Sequence, residues 1–223
     1  MTWAQHLLHF YKSLKPPGSL PKDIQWLFPQ QDEEVMQVVE KFIFKYFNDD
    51  KRRRVIFGIN PGRFGAGATG VNFTGSRQLK EICGIDHSLK MQSELSAEFI
   101  YAMIDAYGGV SEFYFNFFIG SVCTLGFIKG GKNINYYDDK ELLKVVEPFI
   151  IETIEQQLAF PVIRDECFCL GGEKNFKYLQ KLNEKFKWFE KVTPLPHPRF
   201  IMQYRRKYVK DFIKIYINAL RNN

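Results

Sequence analysis

Residues Arg54 to Gly70 read RVIFGINPGRFGAGATG. Successive residues of a strand point to opposite faces, and Val55, Ile56, Phe57 and Ile59 supply apolar side chains to both. A run apolar on each face fits a parallel sheet with helices packed above and below it. The run stops at Asn60, where Pro61 disfavours helix and Gly62 permits tight backbone, and a glycine-rich loop follows.

Outward from this strand the chain alternates between two periods. Helical spacing predicts helices over Trp3–Leu14, Asp32–Asp49, Ser93–Tyr107, Asp138–Leu158, Lys174–Phe186 and Gln203–Leu220. Apolar runs predict further strands in EFYFNFF (Glu112–Phe118), ECFCLGG (Glu166–Gly172) and FEKVTPLPHP (Phe189–Pro198). The expected fold is therefore α/β: three layers, α-β-α, around a central four-stranded parallel sheet. In such sheets ligands bind beyond the carboxyl ends of the strands, so the loops after those ends are expected to meet at one site. The 223 residues suit a single domain, 1–223, with the helix and connector of 1–31 packed on it.

The glycine loop admits three readings. Gly65, Gly67 and Gly70 spell G-x-G-x-x-G, the dinucleotide fingerprint, but Gly65 lies six residues past Ile59 and no helical pattern follows Gly70. Gly62-x4-Gly67 lacks the lysine that a mononucleotide loop needs for its phosphates. The third reading centres on Asn60, whose amide can fix a water or a ligand edge at the end of a buried strand. An asparagine in an N-P-G stretch also makes ordinary turn hydrogen bonds, and spacing alone does not separate these roles.

Composition narrows the classes. Lysine plus arginine number 31 against 25 acids, a charge of +6 that favours nucleic acid only slightly. Cys83, Cys123, Cys167 and Cys169 form no CxxC pair and read as buried free thiols of a reducing compartment. No apolar run reaches 18 residues and no secretory pattern opens the chain, so the expectation is an intracellular protein without membrane contact. It would act in cytoplasm or nucleoid in a bacterium, or in the nucleus of a eukaryote. His6, His9, His87 and His197 include one close pair, and no metal-site signature accompanies them. No cofactor and no metal is expected.

GINPGRFGAGATGVNF (Gly58–Phe73) resembles the first active-site motif of the uracil-DNA glycosylase superfamily, most of all its single-strand-selective monofunctional type. That type carries G-M-N-P-G-P-F-G followed by T-G-V-P-F. Here Gly58, Asn60, Pro61, Gly62, Phe64, Gly65, Thr69, Gly70, Val71 and Phe73 are kept, while Ile59, Arg63 and Asn72 depart. LPHPRF (Leu195–Phe200) resembles the second motif, H-P-S-P-R, but Leu195 stands at the histidine position and His197 at that of the serine. The resemblance implies the same four-stranded sheet, and a DNA glycosylase that removes uracil or a related damaged base during base excision repair.

It also implies roles. Asn60 would position a water under the sugar C1′, and His197, if its loop is re-registered, would stabilise the departing base. Ile59, Gly62, Phe64, Phe73 and Asn116 would bind the base: Phe73 by stacking, and Asn116, taken to lie at a strand end, through its amide. A base inside a duplex must first be flipped out or met in single-stranded DNA. Arg63, Arg199, Phe200, Arg205, Arg206 and Lys207 would hold that DNA, the last three from the start of the final helix. The run KRRR (Lys51–Arg54), at the far end of the first strand, reads as solvated surface. A monomer is expected. Two rivals stay open: a module that binds damaged bases without turnover, and a dinucleotide enzyme using Gly65, Gly67 and Gly70.

Overall fold

A computed structural model of the chain describes residues 1–221. Its first half runs α1 (Trp3–Ser13), β1 (Ile24–Leu27), α2 (Glu33–Tyr46), β2 (Arg53–Gly58), α3 (Ala66–Thr69), α4 (Ser76–Glu81), α5 (Leu95–Tyr107) and α6 (Val110–Asn116). Then come β3 (Phe117–Ser121), β4 (Gly126–Lys129), β5 (Lys132–Ile134), α7 (Lys140–Leu158) and β6 (Val162–Leu170). The chain closes with α8 (Lys174–Phe186), β7 (Lys191–Leu195), α9 (Pro198–Tyr204) and α10 (Val209–Arg221).

The principal sheet is parallel and ordered β3-β2-β6-β7. Residues Val55–Gly58, Phe117–Ser121 and Glu166–Leu170 are buried without alternation, because helices cover both faces. The three-layer α-β-α expectation holds. The chain passes from β2 to β3 on one side and then to β6 on the other, so the strand order reverses at β2. Crevices at such reversals, beyond the carboxyl ends, are where α/β sheets bind ligands. A second sheet, β1-β4-β5, is antiparallel and was not anticipated. Its β4–β5 hairpin lies beside the loop after β2.

Local chemistry explains the elements that frame the site. Asp32 caps α2 by accepting N–H bonds from Glu34 and Val35, with Glu33 and Glu34 favourably placed in the first turn. Trp3 of α1 packs among Phe47, Phe118 and Phe160 at ring distances of 6.2, 5.3 and 5.5 Å. The four cysteines are buried and free, and burial pushes the Cys123 and Cys169 thiols up to about 12. Among the described residues no helix is long and apolar enough to cross a membrane.

Several sequence expectations are corrected. The strand expected over Glu112–Phe118 begins only at Phe117; Val110–Asn116 is helix α6, so Asn116 precedes β3 instead of ending it. Strand β2 is parallel to β3, with Arg54 opposite Phe117, which puts Asn116 at the amino end of the sheet, away from Asn60. The helix expected over Gln203–Leu220 is broken: α9 ends at Tyr204, and Arg205, Arg206 and Lys207 lie in the link before α10. The KRRR run is not solvated throughout, since Arg53 is fully buried. The G-x-G-x-x-G glycines flank or enter a four-residue helix, and Gly70 ends it in the left-handed region at φ 71°. The dinucleotide fingerprint needs a helix opening there, and this one closes.

Candidate active site at the carboxyl end of the sheet

Three loops converge beyond the strand ends on a cavity of about 560 Å³. Ile59 and Asn60 enter it from β2, Ser121 from β3, and His197 from the turn after β7. Phe73, Asn72, Gly62 and Phe64 line it from the glycine loop. That volume falls within the range of small-molecule pockets, about 300–1,000 Å³.

The loop holds its shape through Thr69. Its buried hydroxyl donates to the carbonyl of Thr74 at 2.7 Å and accepts the N–H of Val71 at 3.2 Å. The turn so fixed carries Phe73 at φ 52°, a left-handed conformation rare for an aromatic residue. Its ring lies directly over the backbone of Gly58, where any Cβ would come within 2.6 Å of ring carbon Cε2. Glycine at 58 is thus required by the close approach of the ring, and strain at 73 coincides with the pocket, as strain often does at functional sites.

Asn60 is held at both ends of its amide. Its Nδ2 donates to the carbonyls of Pro61 and Ile134, each at 3.3 Å, and its Oδ1 accepts the N–H of Tyr136 at 3.2 Å. These bonds fix which way the amide faces. The β4–β5 hairpin also braces the loop, as Asn133 Oδ1 accepts the N–H of Arg63 at 3.2 Å.

His197 caps α9: its Nδ1 accepts the N–H of Arg199 at 3.1 Å. A neutral imidazole whose Nδ1 accepts must carry its proton on Nε2. Burial, reinforced by the positive charge of Arg199, lowers the His197 pKa to about 4, so the ring is neutral at physiological pH. The ring sits 5.8 Å from that of Phe73. Leu195, by contrast, is the buried last residue of β7 and faces the core. The shift by two places therefore brings a histidine to the cavity.

Other expected residues fall around the rim or outside it. Arg199 and Phe200 line the cavity mouth together with Gln203 and Tyr204. Phe200 and Tyr204 are exposed with rings 5.9 Å apart, and the Arg205 guanidinium lies 5.5 Å from the Phe200 ring. Arg206 and Lys207 are exposed nearby, with Arg206 4.0 Å from Glu98. Arg63 stacks over Phe64 at 4.4 Å and donates to the Gly131 carbonyl. Asn116 is elsewhere: it donates to the Glu112 carbonyl at 2.8 Å and to the Glu112 carboxylate at 3.0 Å.

Two further polar residues that sequence reasoning did not single out line the cavity. Ser121 is the buried last residue of β3, and its hydroxyl donates to Asn72 Oδ1 at 3.0 Å. Asn72 Nδ2 in turn donates to the Ile119 carbonyl at 3.1 Å. The signal for Ser121 was a polar residue closing the apolar run FFIGSV, visible once the strand is moved to begin at Phe117. Among the described residues no group of three or more His, Cys, Asp or Glu side chains is placed to hold a metal ion.

Comparison with known proteins bears on this arrangement. The sequence pattern of the uracil DNA glycosylase superfamily matches residues 44–221. The crystal structure of wild-type Pedobacter heparinus SMUG2 is similar over 100% of this chain and 98% of its own, with 44% identity and a TM-score of 0.96. No curated protein matches the chain at a significant level.

Proposed function

The chain belongs to the uracil-DNA glycosylase superfamily, and from that premise we propose that it hydrolyses the N-glycosidic bond of uracil or a related damaged base in DNA, without a lyase step. One observation carries the reading. Asn60, His197 and Phe73 share a single cavity at the carboxyl end of the sheet, although the histidine stands two places from its expected position.

The target nucleotide enters that cavity flipped out of its strand. Phe73 offers a ring face for the base to stack on. Asn60 is no general base, since an amide takes no proton at neutral pH; it holds a water beneath C1′. As the bond from C1′ to the base breaks, the base leaves with the electron pair, C1′ gains the water oxygen, and the proton that the water gives up passes to solvent. The departing base is then an anion. The Nε2–H of neutral His197 and backbone N–H groups of the Ile59–Gly62 loop stabilise it as an oxyanion hole does. A neutral donor suits this task, because it needs no proton transfer to be useful. No lysine lies in either motif to form a Schiff base, hence no lyase step.

The basic and aromatic rim supports DNA as the partner. Arg199, Arg205, Arg206 and Lys207 would meet phosphates, and Phe200 would fill the space left by the flipped base.

The test uses labelled oligonucleotides containing one uracil, single-stranded and duplex, followed by alkaline cleavage of abasic sites. Strand scission is expected with the wild-type chain. Asn60→Ala should lower single-turnover cleavage by at least about 10²-fold while oligonucleotide affinity stays within about threefold. Folded protein that binds uracil-containing DNA yet yields no scission would make it a binding module.

A further inference from the structure

We propose that Asn72 fixes the hydrogen-bond polarity of Ser121, and that the pair restricts the pocket to bases presenting a ring N–H between two carbonyls. The inference rests on the glycosylase reading and deepens it to a substrate class.

A backbone carbonyl can only accept, so the contact of Asn72 with the Ile119 carbonyl identifies the atom there as the amide nitrogen. The amide oxygen must then face Ser121, 3.0 Å away. Amide oxygen only accepts, so the serine hydroxyl must donate to it. A hydroxyl has one proton and two lone pairs. With its proton committed to Asn72, Ser121 presents only lone pairs to the cavity. An otherwise adaptable side chain is turned into a fixed acceptor.

Both residues line the cavity that Phe73 lines. Ser121 Oγ and the Phe73 ring are also close to each other, 3.5 and 2.6 Å from where a Cβ on Gly58 would sit. Uracil offers an acceptor only one strong partner, N3–H, because the neighbouring O2 and O4 would be repelled. A productive uracil pose therefore sets N3–H against Ser121. Cytosine held by the same sugar and the same stack sets the N3 lone pair there, lone pair against lone pair. Rejection then comes from an unfavourable contact as well as a missing one.

The pocket's selectivity can be read without turnover. Oligonucleotides carrying 2′-fluoro-2′-deoxyuridine or 2′-fluoro-2′-deoxycytidine resist hydrolysis, and their affinities are compared for wild type, Asn72→Ala and Ser121→Ala. Wild type should prefer the uridine analogue. Asn72→Ala frees the hydroxyl to rotate and donate, so the preference should shrink about tenfold, mainly through tighter binding of the cytidine analogue. Ser121→Ala removes the acceptor without touching Asn72 and should shrink it through weaker binding of the uridine analogue. Equal affinities in wild type, or an unchanged ratio in both variants, would overturn the proposal. Absence of scission on uracil substrates would instead count against the glycosylase reading, because the binding ratio does not depend on it.

Discussion

At the amino end of the four-stranded sheet Arg53 is fully buried, and every part of its guanidinium is answered. Asp49 binds it in a fork at 2.7 Å on each arm, the Tyr114 carbonyl accepts from Nε at 2.7 Å, and the Trp3 and Phe47 rings pack beside it at 5.4 and 5.1 Å. Arg54 pairs with Asp165 at 2.6 Å, and Lys191 with the buried carboxylate of Glu166 at 2.7 Å. At the carboxyl end the polar groups that the strand ends and the turn after β7 bring to the cavity are uncharged: Asn60, Ser121 and a neutral His197, each fixed by hydrogen bonds yet keeping a lone pair or an N–H to spare. The contrast separates two uses of buried polarity. Closed circuits of charge hold the sheet together, whereas half-satisfied neutral groups leave capacity for a ligand. It follows that damage at the two ends should be read by different measurements.

The largest expected effect on stability is at the closed end. Arg53→Ala leaves two carbonyls and the half-buried Asp49 carboxylate without their donor and opens a cavity where the buried side chain packed, for a loss of about 3 kcal/mol. Denaturant unfolding should show that loss, while the uracil cleavage rate below the new midpoint stays near wild type. The Arg53 hydrogen bonds also hold the Asp49 carboxyl below its usual pKa. A carboxyl depressed in the folded state stabilises above its unfolded pKa of 3.8 and loses that contribution as pH falls through and below it. Arg53→Ala should therefore also flatten the acid limb of the stability curve. A rate loss as large as the stability loss would mean that the two ends are coupled.

At the open end His197→Ala should cut kcat by about 10²–10³-fold, or about 2.7–4 kcal/mol, with far less effect on unfolding. The pH dependence sharpens this. With a folded pKa of about 4, the ring stays a neutral donor from pH 8 down to about 5, and kcat should be flat in that range. The linkage has the matching sign: the unfolded ring, at 6.5, binds its proton first, so stability from the neutral form is complete above 6.5 and is lost as pH falls from 6.5 towards 4. An inflection of kcat near 6.5 would remove the neutral-donor role.

A smaller effect is expected where the two regimes meet. Tyr136 is buried; its N–H holds Asn60, and its hydroxyl donates to Asn175 Oδ1 at 2.7 Å. The Asn175 amide reaches the Leu170 carbonyl at 2.9 Å, tying this network to the end of β6. Tyr136→Phe orphans one buried acceptor, for a loss of about 1–3 kcal/mol in denaturant unfolding. The backbone bond to Asn60 survives the substitution, so kcat should hold. A fall in kcat without loss of stability would show that the side-chain network aligns the amide.

How much of this was legible in the sequence depended on the range of the interactions. Strand β2, helix α8 and the site loop at Asn60 could be read because their signals are local: continuous apolar residues, helical spacing, and an N-P-G break. The small sheet of β1, β4 and β5 was not, as strands of four and three residues carry too little pattern to register. Arg53 misled because a cluster of charges usually means solvent, and Trp3, which covers it, lies fifty residues earlier in the chain. Aromatic crowding hid the boundary of β3. Phe113 and Phe117 stack at 5.3 Å across the junction of α6 and β3, so one apolar run belongs to two elements. The cavity position of His197 was left open by a motif two places out of register, and only the turn after β7 decides it.

Asn116 provides the smallest predicted effect and the most direct test of the division. As the end of a strand it would have been a base reader; as the end of α6 it is a half-buried amide bonded to Glu112 one turn earlier. Pairs at that spacing on a helix contribute only a few tenths of a kcal/mol. Asn116→Ala should change stability by no more than about 0.5 kcal/mol and leave both the uracil cleavage rate and the uridine-over-cytidine binding ratio unchanged. Ser121→Ala, five residues on but at the opposite end of β3, should change that ratio. The residues at the two ends of β3 thus control for each other. If Asn116→Ala altered base preference, the polarity of the sheet would not be what separates structure from function here.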